Sequence, residues 1–186
     1  RCCTGCSKRE EGKRAGRPLR ILSEFYEPQQ VFEQEEIKNS IVFFGSARTL
    51  PPDEITKRRK GCKDKKELAR LARLEKVAES YNAARELGQR LGKWANKRHQ
   101  GYAIMTGGGP GIMEAGNRGA TDVGTPSIGL NIKLPFEQHP NPYLDDALNL
   151  QFRYFFIRKY WFLKKARALV VFPGGLTVAT LLLNST

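Results

Sequence analysis

The stretch Met105-Thr106-Gly107-Gly108-Gly109-Pro110-Gly111-Ile112-Met113-Glu114 constrains the fold of this 186-residue chain more than any other. Before it, Tyr102-Ala103-Ile104-Met105 reads as a short apolar strand; after it, Ile112 to Asp122 has helical composition. Four glycines and one proline fall within five residues between them. Glycine lets the backbone take positive φ and approach a ligand without a Cβ in the way. Pro110 is pre-set for the first helical turn, where its missing N–H is not needed. The free amides and positive dipole end of the following helix then face the loop, which suits a phosphate. A plain strand-to-helix turn would need one glycine, so four favour an anion cradle. The loop is not the P-loop GxxxxGK[ST], because no lysine follows its last glycine. As a GxGxxG fingerprint it is out of register, with Glu114 at the final position. A mononucleotide is the better fit.

The remaining pattern is that of an α/β layered sheet. Ile41-Val42-Phe43-Phe44 is a continuous apolar run ended by Gly45-Ser46, as in a strand buried on both faces. Pro51, Pro52 and the basic knot that follows read as a loop. From Lys65 to about Lys97, Leu71, Leu74, Ala78, Tyr81, Ala84, Leu87, Leu91 and Trp94 recur at spacings of three and four, the core stripe of a helix. Ser127–Ile132 predicts a further strand, and Pro135, Pro140 and Pro142 mark a long loop. Leu148–Phe152 fits a short strand, Phe156–Lys165 a helix, and Ala168–Phe172 a strand stopped by Pro173-Gly174-Gly175. Residues 1–38 are polar, without sustained periodicity, and read as a disordered arm; residues 39–186 form the domain. Strands alternating with helices predict a Rossmann-like, three-layer parallel sheet with helices on both faces. Ligands in such sheets bind beyond the carboxyl ends of the strands. Gly45-Ser46, Gly107–Gly109 and Gly174-Gly175 all stand at such ends and predict one shared crevice.

The formal charge of +13 raises the question of nucleic acid. The charge concentrates in two runs, Lys57-Arg58-Arg59-Lys60 with Lys63, Lys65 and Lys66, and Lys8 to Arg20. Neither run interleaves aromatics, so both read as solvated surface rather than a base-stacking platform. Cys2, Cys3, Cys6 and Cys62 offer no repeated CxxC pair, and His99 and His139 stand far from them, so no metal site is expected. Free thiols suit a reducing cytoplasm. No apolar run has the length of a membrane span.

Arg153-Tyr154-Phe155-Phe156-Ile157-Arg158-Lys159 adds two adjacent cations at a predicted helix start. Cations there oppose the helix dipole, which points to a bound anion. Arginine offers a planar fork and lysine a point charge.

At this point the chain resembles the LOG family of cytokinin riboside 5′-monophosphate phosphoribohydrolases, often labelled lysine decarboxylases. The resemblance rests on Phe44-Gly45-Ser46, Gly107-Gly108-Gly109-Pro110-Gly111-Ile112-Met113, Arg158-Lys159 and Pro173-Gly174-Gly175, spanning about Ile41 to Gly175. It implies cleavage of the N-glycosidic bond of an AMP-like nucleoside 5′-monophosphate to free base and ribose 5-phosphate. It further implies no metal or other cofactor, and a homodimer or larger assembly. By position, Gly107 to Gly111 would bind phosphate, with Gly45, Ser46, Gly174 and Gly175 lining the site. Arg158 would be the catalytic arginine, Lys159 would assist at phosphate or ribose, and Glu137 would lie near the ribose. Glycosidic cleavage passes through an oxocarbenium-like transition state, which a nearby carboxylate stabilises.

The sequence departs from that pattern after Gly175. The family signature PGGxGTxxE would place Gly at 177, Thr at 178 and Glu at 181; this chain has Thr177, Val178 and Leu181. The last acidic residue is Asp146. The expectation is therefore that 176–186 is not the native continuation of the fold, that the sheet is cut short after the PGG strand end, and that hydrolysis is weak. A non-catalytic module binding a nucleotide or phosphorylated cofactor, in the manner of molybdenum-cofactor carriers, is the alternative.

Overall fold

The computed structural model describes residues 4–61, 64–133 and 139–173. Its elements, in chain order, are helix α1 (Thr4–Gln34), strand β1 (Asn39–Phe44), helices α2 (Pro52–Gly61) and α3 (Lys65–Arg98), strand β2 (Tyr102–Thr106) and helix α4 (Ile112–Thr121). Strand β3 (Ser127–Ile132), a 3-10 turn (Asp146–Leu148), strand β4 (Asn149–Phe152), helix α5 (Phe155–Lys165) and strand β5 (Ala166–Val171) complete them. The five strands are all parallel and lie in the order β4-β3-β2-β1-β5. This is a Rossmann-like α/β sheet. From β1 the chain builds outward to β4, then returns through α5 to place β5 on the other side of β1. The strand order thus reverses beside β1, where such sheets open a crevice at their carboxyl ends.

Period-2 alternation along the buried strands divides the core between the two faces. Ile41, Phe43 and Ile104 point to one face, where Leu87 and Leu91 of α3 and Ala120 of α4 cover them. Val42, Phe44, Met105, Ile128 and Leu130 point to the other, against Phe32 of α1 and Ile157, Trp161 and Phe162 of α5. Phe32 and Trp161 are each 1% exposed and meet edge to face at 5.5 Å between centroids.

Two segments differ from the sequence expectation. Residues 1–38, expected as a disordered arm, contain α1, whose C-terminal half belongs to the core. Pro18, Pro28 and the dense charge hide this helix in the sequence. Yet Ile21, Phe25, Val31 and Phe32 pack on the α5 face. The Glu24 carboxylate accepts hydrogen bonds from the Arg153 and Tyr154 amides at 3.0 and 3.1 Å, satisfying orphan N–H groups at the start of α5. The second segment is the basic knot after Pro51, which forms α2 rather than a loop. Pro52 stands at its first position, Asp53 and Glu54 in its first turn, and Arg58, Arg59 and Lys60 in its last, all in accord with the helix dipole. Arg58 pairs with Glu54, and Arg59 with Glu75 of α3 at 3.1 Å, so part of the knot's charge is neutralised within the fold. Among the described residues, no helix is long and apolar enough to cross a membrane.

Candidate functional site

The glycine loop leaves the end of β2, at the centre of the sheet, and delivers the chain to α4. Gly108 and Gly111 take φ of +74° and +77°, the left-handed region that side chains resist. A Cβ on Gly108 would overlap the side-chain amide of Asn131, and one on Gly111 the carbonyl of Ser46. Close approach of the β1 end to the start of α4 is what demands Gly45 and Gly111. A Cβ on Gly45 would sit 2.5 Å from Cγ2 of Ile112, and the Ile112 amide donates to the Ser46 carbonyl at 3.1 Å. Gly45-Ser46 and Gly107–Gly109, two of the three predicted strand ends, therefore meet at the ends of β1 and β2. At the neighbouring end of β5, the Phe172 amide donates to the Phe44 carbonyl at 2.8 Å. Gly174 and Gly175, expected in the same crevice, lie outside the described residues, as do Glu137, the tail 176–186 and Cys2, Cys3 and Cys62.

Three successive loop carbonyls are turned into the protein. Gly107 O accepts from Arg158 Nη2 at 3.4 Å. Gly108 O accepts from the Asn141 amide at 2.9 Å, and Gly109 O from Asn141 Nδ2 at 3.1 Å. The Gly108 amide donates to Thr106 Oγ1 at 2.9 Å. By contrast the amides of Gly109, Gly111, Met113 and Glu114 find no acceptor among the described residues. A trans peptide unit directs its C=O and N–H to opposite sides. Holding Gly108 O inward thus turns the Gly109 N–H outward, beside the unpartnered amides that begin α4, an arrangement suited to an anion.

Arg158 comes from the first turn of α5, on the opposite face of the sheet from α4. Its Nε donates to Leu130 O, at the end of β3, at 2.6 Å. Its guanidinium lies 5.2 Å from the Phe162 ring centroid. Nη2 reaches within 2.7 Å of where a Gly107 Cβ would stand. Among the described residues no carboxylate pairs with this arginine, and burial pushes its pKa down to about 10. It remains charged at neutral pH, held against the glycine loop without a counter-ion, which is unfavourable until an anion arrives. Lys159, its neighbour, is half-buried, and its side chain makes no hydrogen bond or ion pair among the described residues.

Several polar residues at the loop were not singled out by the sequence reading. Thr106, Asn117, Ser127, Asn131 and Asn141 are all buried. Thr106 Oγ1 donates to Asn117 Oδ1 at 2.6 Å, and Asn117 Nδ2 to Ser127 Oγ at 2.9 Å. Asn131 Nδ2 donates to Asn149 Oδ1 at 2.6 Å. The available signals were an asparagine inside the apolar strand Ser127–Ile132 and another in the middle of α4, where neither propensity nor core packing favours one. Glu114, half-buried in the first turn of α4, accepts from the Tyr81 hydroxyl at 2.9 Å. Burial, with this carboxylate beside it, raises the Tyr81 pKa, while a hydrogen bond from Arg118 acts the other way. That pair ties α4 to α3.

The fold and its strand-end glycines thus define a Rossmann-like α/β domain with a glycine cradle beside a partly buried arginine. Residues 113–181 match the family described as "Possible lysine decarboxylase", the LOG-family domain, in agreement with the resemblance carried by the motifs. The match begins inside α4, includes Arg158-Lys159, and continues to 181, past Gly175, where the sequence reading expects the likeness to stop. A solved structure described as TM1055, a structural-genomics target, is 22% identical over 77% of this chain, with a TM-score of 0.43. The chain spans 66% of that structure's length. No curated protein matches the chain.

Proposed function

We propose that this domain binds a nucleoside 5′-monophosphate such as AMP through its phosphate, at a site built for N-glycosidic hydrolysis to free base and ribose 5-phosphate. The observation that carries this reading is the Arg158 guanidinium, partly buried against Gly107 with no carboxylate partner among the described residues. The amides of Gly109 and Gly111, without acceptors among the described residues, supply neutral donors beside it, and Lys159 a second cation. With Arg158 as the catalytic arginine, a carboxylate would be needed across the ribose to stabilise oxocarbenium charge or activate water. The sequence has Leu181 where the family signature has glutamate. The same cradle without that carboxylate binds and releases its ligand unchanged, so the 186-residue chain is expected to bind AMP with little turnover. Calorimetry with AMP and adenosine, paired with an assay for ribose 5-phosphate, tests both halves. Tighter binding of AMP with near-background release is expected; equal affinities would remove the phosphate site from the account. Robust release that depends on Arg158 would instead restore the enzyme in full.

The homodimer that the resemblance implies finds support in an apolar surface on α1 and α5. Leu22 and Tyr26 of α1 are 62% and 64% exposed, and Phe156 and Leu163 of α5 are 54% and 53% exposed. Phe25 joins the two helices, its ring 5.1 Å from Tyr160 and 6.5 Å from Phe156. Large side chains grouped in this way are unusual on a monomer, and a second copy of the chain is the proposed occupant. Sedimentation should give a dimer that Phe156→Asp with Leu163→Asp converts to a folded monomer; a monomeric parent chain would contradict this. The reducing cytoplasm is the proposed compartment, on the strength of cysteines without a disulfide framework.

A further inference from the structure

We propose that Asn141, locked in place by Asn117, is the positioning residue that aims the Gly109 amide of the glycine loop at the ligand phosphate. The proposal rests on the phosphate-binding reading above and assigns a determinant of it on a segment distant in sequence from the cradle.

Asn141 lies between β3 and β4, 7% exposed. It engages the cradle at two consecutive carbonyls, Gly108 O through its backbone amide at 2.9 Å and Gly109 O through Nδ2 at 3.1 Å. Pinning Gly108 O inward forces the Gly109 N–H outward, because one planar peptide unit carries both groups. The same Nδ2 donates to Asn117 Oδ1 at 3.1 Å. Asn117 is itself oriented: its own Nδ2 donates to Ser127 Oγ and Ile128 O, so its Oδ1 must face Asn141 and Thr106. The Asn141 Oδ1 then accepts from the Tyr143 amide at 3.1 Å, which fixes its amide orientation as well. Each donor and acceptor in this chain is assigned by its neighbour, leaving one arrangement for the loop. Glycine-rich backbone has many accessible conformations. Without the clasp, the Gly108–Gly109 peptide could rotate and present a carbonyl to the anion.

The nucleoside half of a nucleotide makes no demand on this peptide, so the defect is expected to be selective for phosphate. Asn141→Ala should lower the AMP-to-adenosine affinity ratio by about five- to tenfold, the scale of one or two misplaced hydrogen bonds, with adenosine affinity within about twofold of the parent chain. Thr121→Ala serves as the control. It removes the Thr121 Oγ1 bonds to Tyr143 O at 3.0 Å and to the backbone carbonyl of Asn117 at 3.1 Å, loosening the same segment while leaving every side-chain bond of Asn117 and Asn141 in place, and should leave the ratio unchanged. Asn141→Ser, which keeps an acceptor for the Tyr143 amide but cannot reach Gly109, should behave as the alanine variant does. A parent chain that prefers AMP, together with folded Asn141 variants that retain that preference, would overturn the positioning role and leave the phosphate site standing. A ratio lowered equally by Thr121→Ala, or two Asn141 variants that fail to fold, would make the residue a general structural one and overturn the proposal. Equal affinity of the parent chain for AMP and adenosine would overturn both readings.

Discussion

Arg158→Ala is expected to weaken AMP binding by about 10- to 100-fold, since hydrogen bonds to charged groups contribute roughly 1.5–3 kcal/mol. Adenosine binding should change by no more than about twofold, within the scatter of a change remote from its contacts. The geometry explains why lysine is not an adequate substitute. Arg158 uses Nε on Leu130 O and Nη2 on Gly107 O together, while Phe162 faces the guanidinium plane. A lysine ammonium cannot satisfy two separated carbonyls and stack at the same time. Arg158→Lys should therefore recover only part of the loss. The alanine variant also leaves Leu130 O and Gly107 O without this donor, so its melting temperature should fall as well. Parallel titrations of the three proteins with AMP and adenosine check the prediction. An alanine variant that binds AMP as the parent does would remove Arg158 from the site.

Gly111→Ala is expected to be the most damaging change in the loop to stability. Two penalties add. A φ of +77° with ψ of −129° is a combination that opposes any Cβ, at about 1–3 kcal/mol. The added atom also overlaps the Ser46 carbonyl and crowds Ala47, which are backbone and cannot rotate aside. Gly108→Ala meets the Asn131 side chain instead, which can turn, so it should cost less in stability. Gly124 provides the baseline, because its φ is +64° and nothing lies near its missing Cβ. Gly124→Ala should show the conformational penalty alone. Urea melts should rank the variants as Gly124→Ala least, Gly108→Ala next and Gly111→Ala most destabilised. Equal midpoints for Gly124→Ala and Gly111→Ala would show that the β1 end does not press on α4.

The central strands β1, β2 and β3 were legible because burial on both faces writes them as apolar runs between glycines and prolines. Ser127–Ile132 has the bounds the sequence suggested, and the strand read from Tyr102 to Met105 extends one residue further, to Thr106. The helix from Lys65 was equally clear, because its apolar stripe has period 3.6. Helices α1 and α2 were hidden for a shared reason. Their anchoring comes from other parts of the chain: Phe32 needs Trp161, Glu24 needs the start of α5, and Arg59 needs Glu75. Local composition, with prolines and clustered cations, argued against them. Within the site, Gly108, Gly111 and Arg158 announced themselves by type and spacing. Asn141 did not, since asparagine between prolines is ordinary loop chemistry until the fold sets it against Gly109. The α1 contact also gives the expected arm a task, because α1 caps the helix that carries Arg158.

The most direct test of the phosphate cradle is an experimental structure of the chain with AMP bound. The phosphate is expected at the carboxyl ends of β1 and β2, within hydrogen-bond distance of the Gly109 and Gly111 amides and of the Arg158 guanidinium. AMP bound with its phosphate in solvent or on another face of the sheet, and those amides left unoccupied at saturation, would contradict it.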